Sequence, residues 1–333
     1  MWMLDNQTPF EAERTWVRDK NGVHQWIVVV KATYDIQGDG TLSLSDNQVE
    51  PFHAPVYHEG PESSIKYEAD LTAMKPGTDV YLNAIAYAPK GRPERKLIVS
   101  FQIDRLIKKL VVYGERTWQQ TLAGSLQPSS PAPFVMMPIT YERAFGGYDC
   151  TADEVKEHRI DTRNPVGSGI MRHTEKLIGK PAPTIEYPHK KLSEAGPAGF
   201  GAIASYWSQR LRYAGTYDEQ WDAKRKPLLP EDFDPLYFMC SPEDQRIEGY
   251  LQGGELIELT NLTQSGYLRF FLPRCFFQFD TYFGSECRPH TSELVSVVIE
   301  SEEPKLIMVW QTSLTCGNDG EYLDKTVIRE IES

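Results

Sequence analysis

The side chains best suited to metal binding are Cys275, Cys287 and His290. Two thiolates and an imidazole are typical zinc ligands, and a β-hairpin would bring residues at this spacing together. The sequence specifies no fourth ligand, and thiols beside a phenylalanine-rich strand also pack as small apolar side chains. The two histidines nearest in sequence, His53 and His58, lie in a proline-flanked loop. The pattern therefore predicts no metal site and no cofactor, and it leaves open whether the three residues cluster in space.

Residues for nucleophilic or acid–base catalysis are equally hard to identify. The string closest to a G-x-S-x-G nucleophile elbow is Gly167-Ser168-Gly169, which lacks the required spacing. No strand precedes this G-x-G and no Lys-Ser/Thr follows it, so a tight turn is favoured over a phosphate-binding loop. Acidic pairs such as Asp232 and Asp234 are expected by chance among 47 carboxylates and are typical of helix caps and turns. We therefore predict no catalytic residues.

Charge is distributed unevenly along the 333-residue chain. The total is −12, from 35 Lys and Arg against 47 Asp and Glu, which argues against a protein that binds nucleic acid or an anionic membrane. Residues 231–333 carry 7 basic and 19 acidic side chains, a net charge of −12, whereas residues 151–230 carry a net charge of +3. The acidic final third indicates either a solvated surface or a surface that selects basic partner sequence.

The sequence also contains no recognisable targeting or membrane segment. The first residues, MWMLDN, lack a basic region leading into an apolar one, and no run reaches the ~18 apolar residues of a membrane span. The 5 cysteines are odd in number and never form C-x-x-C, which is typical of reduced thiols. We expect the protein to stay in the cytoplasm without membrane contact.

Runs of β-branched and aromatic residues at both ends of the chain predict strands. Residues 24–34 (HQWIVVVKATY) are followed by a glycine-containing turn, which predicts a hairpin with residues 41–44. Residues 293–300 and 305–311 predict a second hairpin with an acidic tip, in which Val295, Val297 and Ile299 share one face. Further strands are predicted over residues 79–88, 97–103, 106–113, 255–260, 266–272 and 325–330.

Between these ends the sequence changes character. Prolines divide residues 126–240 into pieces too short for long elements, although two short helices are predicted over residues 203–213 and 218–224. We therefore predict a mainly β fold with two antiparallel β-sandwich-like parts joined by a Pro/Gly-rich segment with a few short helices. The predicted boundaries are an N-terminal domain of residues 1–125, a joining segment of residues 126–240 and an acidic C-terminal part of residues 241–333 that packs with that segment.

The middle of the chain also carries polar, aromatic and glycine-rich strings. In order they are residues 141–147 (YERAFGG), 164–169 (NPVGSG), 197–201 (PAGFG), Trp207 with Arg210, 214–219 (AGTYDE) with Trp221, 229–234 (LPEDFD), 242–245 (PEDQ) and 253–255 (GGE). In order and spacing, these strings resemble the uncharacterised-domain family of accessory proteins found beside type VI secretion effectors in Gram-negative bacteria. The resemblance covers nearly the whole chain and is weakest over the first ~25 residues.

The resemblance implies an adaptor or chaperone. Members of the family are associated with effectors that carry a PAAR-type spike-tip domain, and they are thought to help load the effector onto the VgrG spike. The implied partners are a cognate PAAR-bearing effector and its VgrG protein. The rival hypothesis, from the residues alone, is a hydrolase or carbohydrate-active enzyme on a β-sandwich scaffold.

Candidate partner-binding residues follow from the strings and from physical chemistry. Arginines and aromatic residues form interface hot spots, but they also hold loops together by charge-assisted hydrogen bonds and packing. In the phenylalanine-rich strand, only alternate residues can face one core, so Phe276 is a candidate contact beside Phe277. The candidates are Tyr141, Arg143, Phe145, Asn164, Phe200, Trp207, Arg210, Tyr217, Asp218, Trp221 and Phe276.

Overall fold

β-Strands account for most of the regular structure, as the β-branched and aromatic runs predict. The computed structural model describes residues 2–171, 173–192, 194, 196–317 and 319–331. The strands are β1 (Met3–Asn6), β2 (Glu11–Arg18), β3 (His24–Ile36), β4 (Leu42–Leu44), β5 (Val56–Tyr57), β6 (Ile65–Tyr67), β7 (Asp79–Tyr87), β8 (Lys96–Ile103), β9 (Leu106–Tyr113), β10 (Trp118–Gln120), β11 (Leu126–Pro128), β12 (Met136–Ile139), β13 (Phe145–Gly146), β14 (Tyr148–Asp149), β15 (Arg159–Ile160), β16 (Ser168–Gly169), β17 (Ile185–Glu186), β18 (Leu256–Thr260), β19 (Tyr267–Phe271), β20 (Phe276–Phe283), β21 (Glu286–Thr291), β22 (Glu293–Glu300), β23 (Lys305–Thr315) and β24 (Leu323–Ile331).

Helical structure is short and lies largely in the joining segment. The α-helices are α1 (Ser208–Leu211) and α2 (Glu219–Lys224), so each predicted helix forms but is shorter than its predicted range. The 3₁₀ helices are Pro89–Gly91, Tyr141–Arg143, Val155–Glu157, Thr174–Leu177, Pro235–Phe238, Glu243–Gln245 and Asp319–Tyr322. In the part of the chain that the structure describes, no helix has the length and apolar character needed to cross a membrane.

The largest sheet combines strands from the two ends of the chain. Its seven strands include the path β12-β7-β22-β23-β3-β2, and β4 pairs with β3 outside that path. β7 and β22 are parallel, whereas β22, β23 and β3 are mutually antiparallel along the path. Residues 1–125 and 241–333 therefore share one mixed sheet and do not form two separate antiparallel sandwiches. Both faces of β3 are buried by packing, which explains the unbroken apolar run in its centre.

Two smaller sheets cover one face of this large sheet. One is five-stranded, with the order β17-β9-β8-β18-β19, and the other is four-stranded, with the order β1-β24-β20-β21. Trp26, Val28 and Val30 of β3 belong to the same buried apolar cluster as Phe101 of β8 and Phe279 of β20. The fold is thus mainly β, as predicted, and its principal core lies between these layers.

The predicted hairpin near the C-terminus forms as β22 and β23, with Val297 opposite Met308 and Ile299 opposite Leu306. The prediction that Val295 shares their face is wrong. A register shift between Leu294 and Ser296 inserts a residue there. Because side chains alternate along a strand, the bulge moves Val295 to the opposite face, where it packs with Ile27 and Val29.

Candidate functional site

The first two sequence strings pack against each other around Asn164. Its amide nitrogen donates hydrogen bonds to the carbonyl oxygens of Tyr141 (2.9 Å) and Phe145 (3.0 Å), and the residue is completely buried. The Tyr141 hydroxyl donates to the carbonyl oxygen of Gly201 at 2.9 Å, and its ring meets Trp207 edge-on at 5.1 Å. Tyr141, Asn164 and Trp207 therefore join three distant loops and are not accessible to a partner.

Glycine is required where the two strings meet. Gly146 has φ +152°, and a Cβ there would lie 2.3 Å from the Asn164 carbonyl oxygen. At this point β13 pairs with β16, the strand that contains Gly169, and the Phe145 ring lies against Gly169. The glycines of these strings thus allow close backbone approach, as predicted for a tight turn, and Phe145 is half-buried as a consequence.

Arg210 lies beneath the surface and holds three loops. Its Nε donates to the Tyr237 carbonyl oxygen at 2.9 Å, its Nη1 donates to the Ile203 carbonyl oxygen at 2.8 Å, and it forms a buried ion pair with Glu68. Burial alone would lower the pKa of Arg210, but the Glu68 carboxylate outweighs it and raises the pKa. The candidates Arg210 and Phe200 are both buried, so they stabilise the loop layer and do not form an exposed surface.

A second buried ion pair lies between the large sheet and the same loops. The Lys75 ammonium is 2.9 Å from the Asp79 carboxylate and donates to Ser296 Oγ at 2.8 Å. Asp79 also accepts hydrogen bonds from the backbone N–H groups of Cys240 (2.9 Å) and Ser241 (2.8 Å). Burial alone would raise the pKa of Asp79, but Lys75 and these donors lower it below its ordinary value.

Lys31 completes this polar layer on the outer face of β3. Its ammonium lies 2.7 Å from Asp70 and 3.6 Å from the centre of the Phe52 ring. Burial lowers the pKa of Lys31 although Asp70 acts in the opposite direction. The outer face of the large sheet thus contains paired charges where the inner face is apolar, a pattern that fixes the covering loops in one arrangement.

The remaining candidates lie nearer the surface but are separate from one another. Arg143 is partly exposed and its Nη1 is 2.7 Å from a Glu115 carboxylate oxygen. Asp218 caps α2 by accepting a hydrogen bond from the Trp221 backbone N–H at 2.8 Å. Tyr217 is exposed, and its ring lies 4.7 Å from that of Trp221. The structure therefore does not gather the predicted residues into a single exposed site.

Phe276, the last candidate, is half-buried at the start of β20, while Phe277 is buried in the core. The alternation predicted for this strand is confirmed. Phe276 lies opposite Ile331 of β24, which is exposed, so this pair forms a small apolar patch.

Cys275, Cys287 and His290 have separate surroundings. Cys275 Sγ lies 3.5 Å from the Tyr34 hydroxyl, and Cys287 is exposed. The ring nitrogens of His290 form hydrogen bonds with the hydroxyls of Thr281 (2.7 Å) and Thr312 (2.6 Å). Burial lowers the pKa of His290 to about 4. Among the described residues, no group of three His, Cys, Asp or Glu side chains is arranged to hold a metal ion.

An aromatic groove that no sequence pattern predicted lies beside β2. The Trp2 and Trp16 rings are 5.5 Å apart, and Trp16 packs on Trp26 at 4.9 Å. Trp2 is 48% exposed, and Tyr322, which also lines the groove, is 68% exposed. The three tryptophans within residues 2–26 could have indicated this groove. They lie far before the first of the sequence strings, which begins at residue 141.

A polar cleft lies where the strings of residues 197–201 and 242–245 meet. It has a volume of about 280 Å³, and Pro197, Arg210, Ser241 and Arg246 contribute to its walls. Its floor is the buried layer described above, because Ser241 donates its backbone N–H to Asp79. Some residues of the strings are therefore buried in the loop packing, and others line the cleft on the surface.

A family model described as "Uncharacterized protein conserved in bacteria (DUF2169)" matches residues 21–311. No curated protein and no solved structure matches the chain. The matched range includes the residues packed around Asn164, the three buried ion pairs described above and the polar cleft. The chain belongs to the DUF2169 family of bacterial proteins.

Proposed function

We propose that this protein is a non-enzymatic adaptor that binds a type VI secretion effector in the cytoplasm and assists its loading onto the VgrG spike. The resemblance of the central strings to accessory proteins of this system suggests the effector, a PAAR-bearing protein. The observation that carries the proposal is the position of the aromatic groove beside the longest open sheet edge.

Strand β2 is well suited to accept an extended segment of a partner. Among the edge strands of the three large sheets, β12 contains Pro138, β21 contains Pro289, and β1 and β17 have only 4 and 2 residues. Proline and short length both blunt an edge against strand addition. The backbone of β19 is approached by the turn at Gly40. β2 has 8 residues and no proline, so its edge offers the longest row of backbone groups.

The aromatic groove supplies the apolar contacts that such an edge needs. Tryptophan and tyrosine are enriched among the residues that dominate interface energies, and each typically contributes at least about 2 kcal/mol at a hot spot. Trp2, Trp16 and Tyr322 line one continuous groove of about 1060 Å³. A segment paired with β2 would place apolar side chains beside these rings. The charged residues of β2, Glu13 and Arg14 among them, oppose unspecific pairing with other strands.

The adaptor would act stoichiometrically. It would cover an aggregation-prone or spike-docking segment of the newly made effector and release it at the spike. The net charge of −12 on residues 231–333 would favour a partner segment rich in Lys and Arg. Raising salt from low to physiological concentration should then slow association, since charge steering is screened.

Affinity capture from the native bacterium tests this proposal. The tagged chain is purified from cells that express the secretion genes, and bound proteins are quantified by mass spectrometry. Near-equal recovery of a PAAR-bearing effector, alone or with VgrG, is the expected result. Recovery of neither protein with a folded chain would refute the adaptor role and bring forward the hydrolase or carbohydrate-active enzyme hypothesis.

Two variants test the contact surface. Tyr322→Ala should reduce effector recovery at least ten-fold, because it removes an exposed ring from the groove. Tyr148→Ala is the matched control: Tyr148 is also an exposed tyrosine, at 53%, but it lies on β14 outside the groove. Equal recovery with both variants would exclude the groove as the binding surface.

A further inference from the structure

The polar cleft contains buried polar atoms that lack hydrogen-bond partners. Ser241 is 2% exposed and lines the cleft, yet its hydroxyl has no partner among the described residues. The same is true of Arg246 Nε and of Gln209 Oε1, which belong to two other lining residues. Unsatisfied polar atoms are costly when buried, so three of them on one cleft indicate a site prepared for a polar ligand.

The charges of the cleft favour an anionic ligand. Each carboxylate of its walls already has a cation: Asp244 lies 2.7 Å from Lys108, Glu194 lies 3.2 Å from Lys191, and Glu243 pairs with Arg212. Two lining arginines, at positions 163 and 210, are likewise paired with carboxylates.

Two cations of the cleft remain without a carboxylate partner in the described structure, Lys190 and Arg246. Their nearest described aromatic neighbours are the Tyr187 ring, 4.8 Å from the Lys190 ammonium, and the Tyr213 ring, 5.8 Å from the Arg246 guanidinium. Burial alone would raise the pKa of Tyr213, but Arg246 and Arg212 lower it below its ordinary value. The region is therefore locally positive in a protein whose net charge is −12.

We propose that this cleft binds the carboxy-terminal residue of a partner polypeptide. A chain terminus places a carboxylate beside its own amide N–H. The carboxylate oxygens would accept hydrogen bonds from Arg246 Nε, Lys190 and the Ser241 hydroxyl, and the amide would donate to Gln209 Oε1. This pairing satisfies all three unpartnered atoms at once, which sulfate or chloride does not, because neither offers a donor to Gln209.

The size of the cleft agrees with this ligand. A volume of about 280 Å³ is at the lower limit of small-ligand pockets, about 300–1,000 Å³, and suits one terminal residue better than a helix. The inference depends on the proposed adaptor function only for the identity of the partner. It adds a second partner contact, at the polar cleft, to the one proposed at the β2 edge.

Ligand-observed saturation-transfer NMR on the purified full chain tests the proposal. The probe is N-acetylglycine, which carries a terminal carboxylate and an amide N–H, and the neutral control is N-acetylglycinamide. We expect binding of the first probe only. Arg246→Gln and Ser241→Ala should each weaken it about ten-fold, the effect of losing a hydrogen bond to a charged group. Arg92→Gln, a substitution of an exposed arginine that also lacks a carboxylate partner in the described structure, should leave it unchanged.

Three results would overturn the proposal: no saturation transfer to N-acetylglycine, equal binding of the neutral amide, or binding that survives Arg246→Gln. A third probe, the α-amide of N-acetylglutamate, presents only a side-chain carboxylate. Binding of this probe in place of N-acetylglycine would overturn the assignment to a chain terminus. Because the measurement needs no partner, failure of effector capture with intact probe binding would refute the adaptor function alone.

Discussion

Replacing Asp79 with asparagine should lower the free energy of unfolding by about 3–5 kcal/mol, the usual effect of breaking a buried ion pair. The Asp79 side chain is fully buried and that of Lys75 is 3% exposed. An asparagine oxygen can still accept from the backbone N–H groups of Cys240 and Ser241. Its NH₂ group would then face the Lys75 ammonium, a donor against a donor, and would leave a buried charge without a counterion.

The chain contains a matched control for this change. Asp222 and Lys226 on the surface are also four residues apart and also 2.9 Å apart, but their side chains are 62% and 60% exposed. Asp222→Asn should therefore cost no more than about 0.5 kcal/mol. Both variants keep the size of the side chain and remove one negative charge, so the comparison isolates burial.

Thermal and urea unfolding of the three proteins measures the difference. An unfolding entropy of about 2.1 cal/mol/K per residue gives about 0.7 kcal/mol/K for 333 residues. The loss at Asp79 should then lower Tm by about 4–7 °C, and the loss at Asp222 by less than about 1 °C. Equal effects of the two substitutions within about 1 kcal/mol would refute the argument that burial makes this pair important.

Acid provides a second measurement on the same pair. The pKa of Asp79 is below its ordinary value of 3.8, because Lys75 and the backbone donors outweigh the effect of burial. A carboxylate whose pKa is lower in the folded state than in the unfolded state stabilises the fold. This stabilisation is complete when the pH is above the pKa of the unfolded state, and it is lost as the pH falls through the pKa of the folded state. The difference in the free energy of unfolding between the wild type and Asp79→Asn should consequently become smaller as the pH is lowered below about 4.

Three further predictions follow from single residues. Burial lowers the pKa of His290 to about 4, so its ring should stay neutral at pH 6 in an NMR titration, and its contribution to stability should decline as the pH falls from about 6.5 toward 4. Gly146→Ala should destabilise by at least about 1–3 kcal/mol in urea, since φ is +152° and the new Cβ meets a carbonyl oxygen at 2.3 Å, whereas Gly38→Ala, with no atom within 4 Å, should have little effect. A thiol reagent should modify Cys287 in the native protein and Cys240 only after unfolding, because the first is exposed and the second buried.

Local patterns in the sequence predicted the elements better than their partners. Residues 24–34 and 305–311 contain enough β-branched residues to predict strands, and both are confirmed within β3 and β23. Their pairing depends on side-chain packing across about 270 residues of intervening sequence, and the parallel pairing of β7 with β22 on packing across about 200. No local propensity encodes such contacts, which is why two separate sandwiches were expected where one shared sheet forms.

The candidate residues illustrate the same limit. Aromatic and arginine residues in unusual strings are expected both at interfaces and in buried loop packing, and only burial distinguishes the two roles. Trp207 and Arg210 are buried, whereas Tyr217 is exposed, although all three occur in strings of the same kind. The exposed groove at Trp2 and Tyr322 brings together residues from the two chain ends, which sequence spacing cannot reveal.

The parallel pair β7 and β22 also has a consequence for synthesis of the protein. Roughly 200 residues separate Tyr87 at the end of β7 from Glu293 at the start of β22. At about 5–20 residues per second, a nascent chain would wait about 10–40 s after β7 is made before its neighbour leaves the ribosome. During that interval the edge of β7 that pairs with β22 has no partner, so the growing polypeptide is expected to require protection by a general chaperone until β22 has emerged.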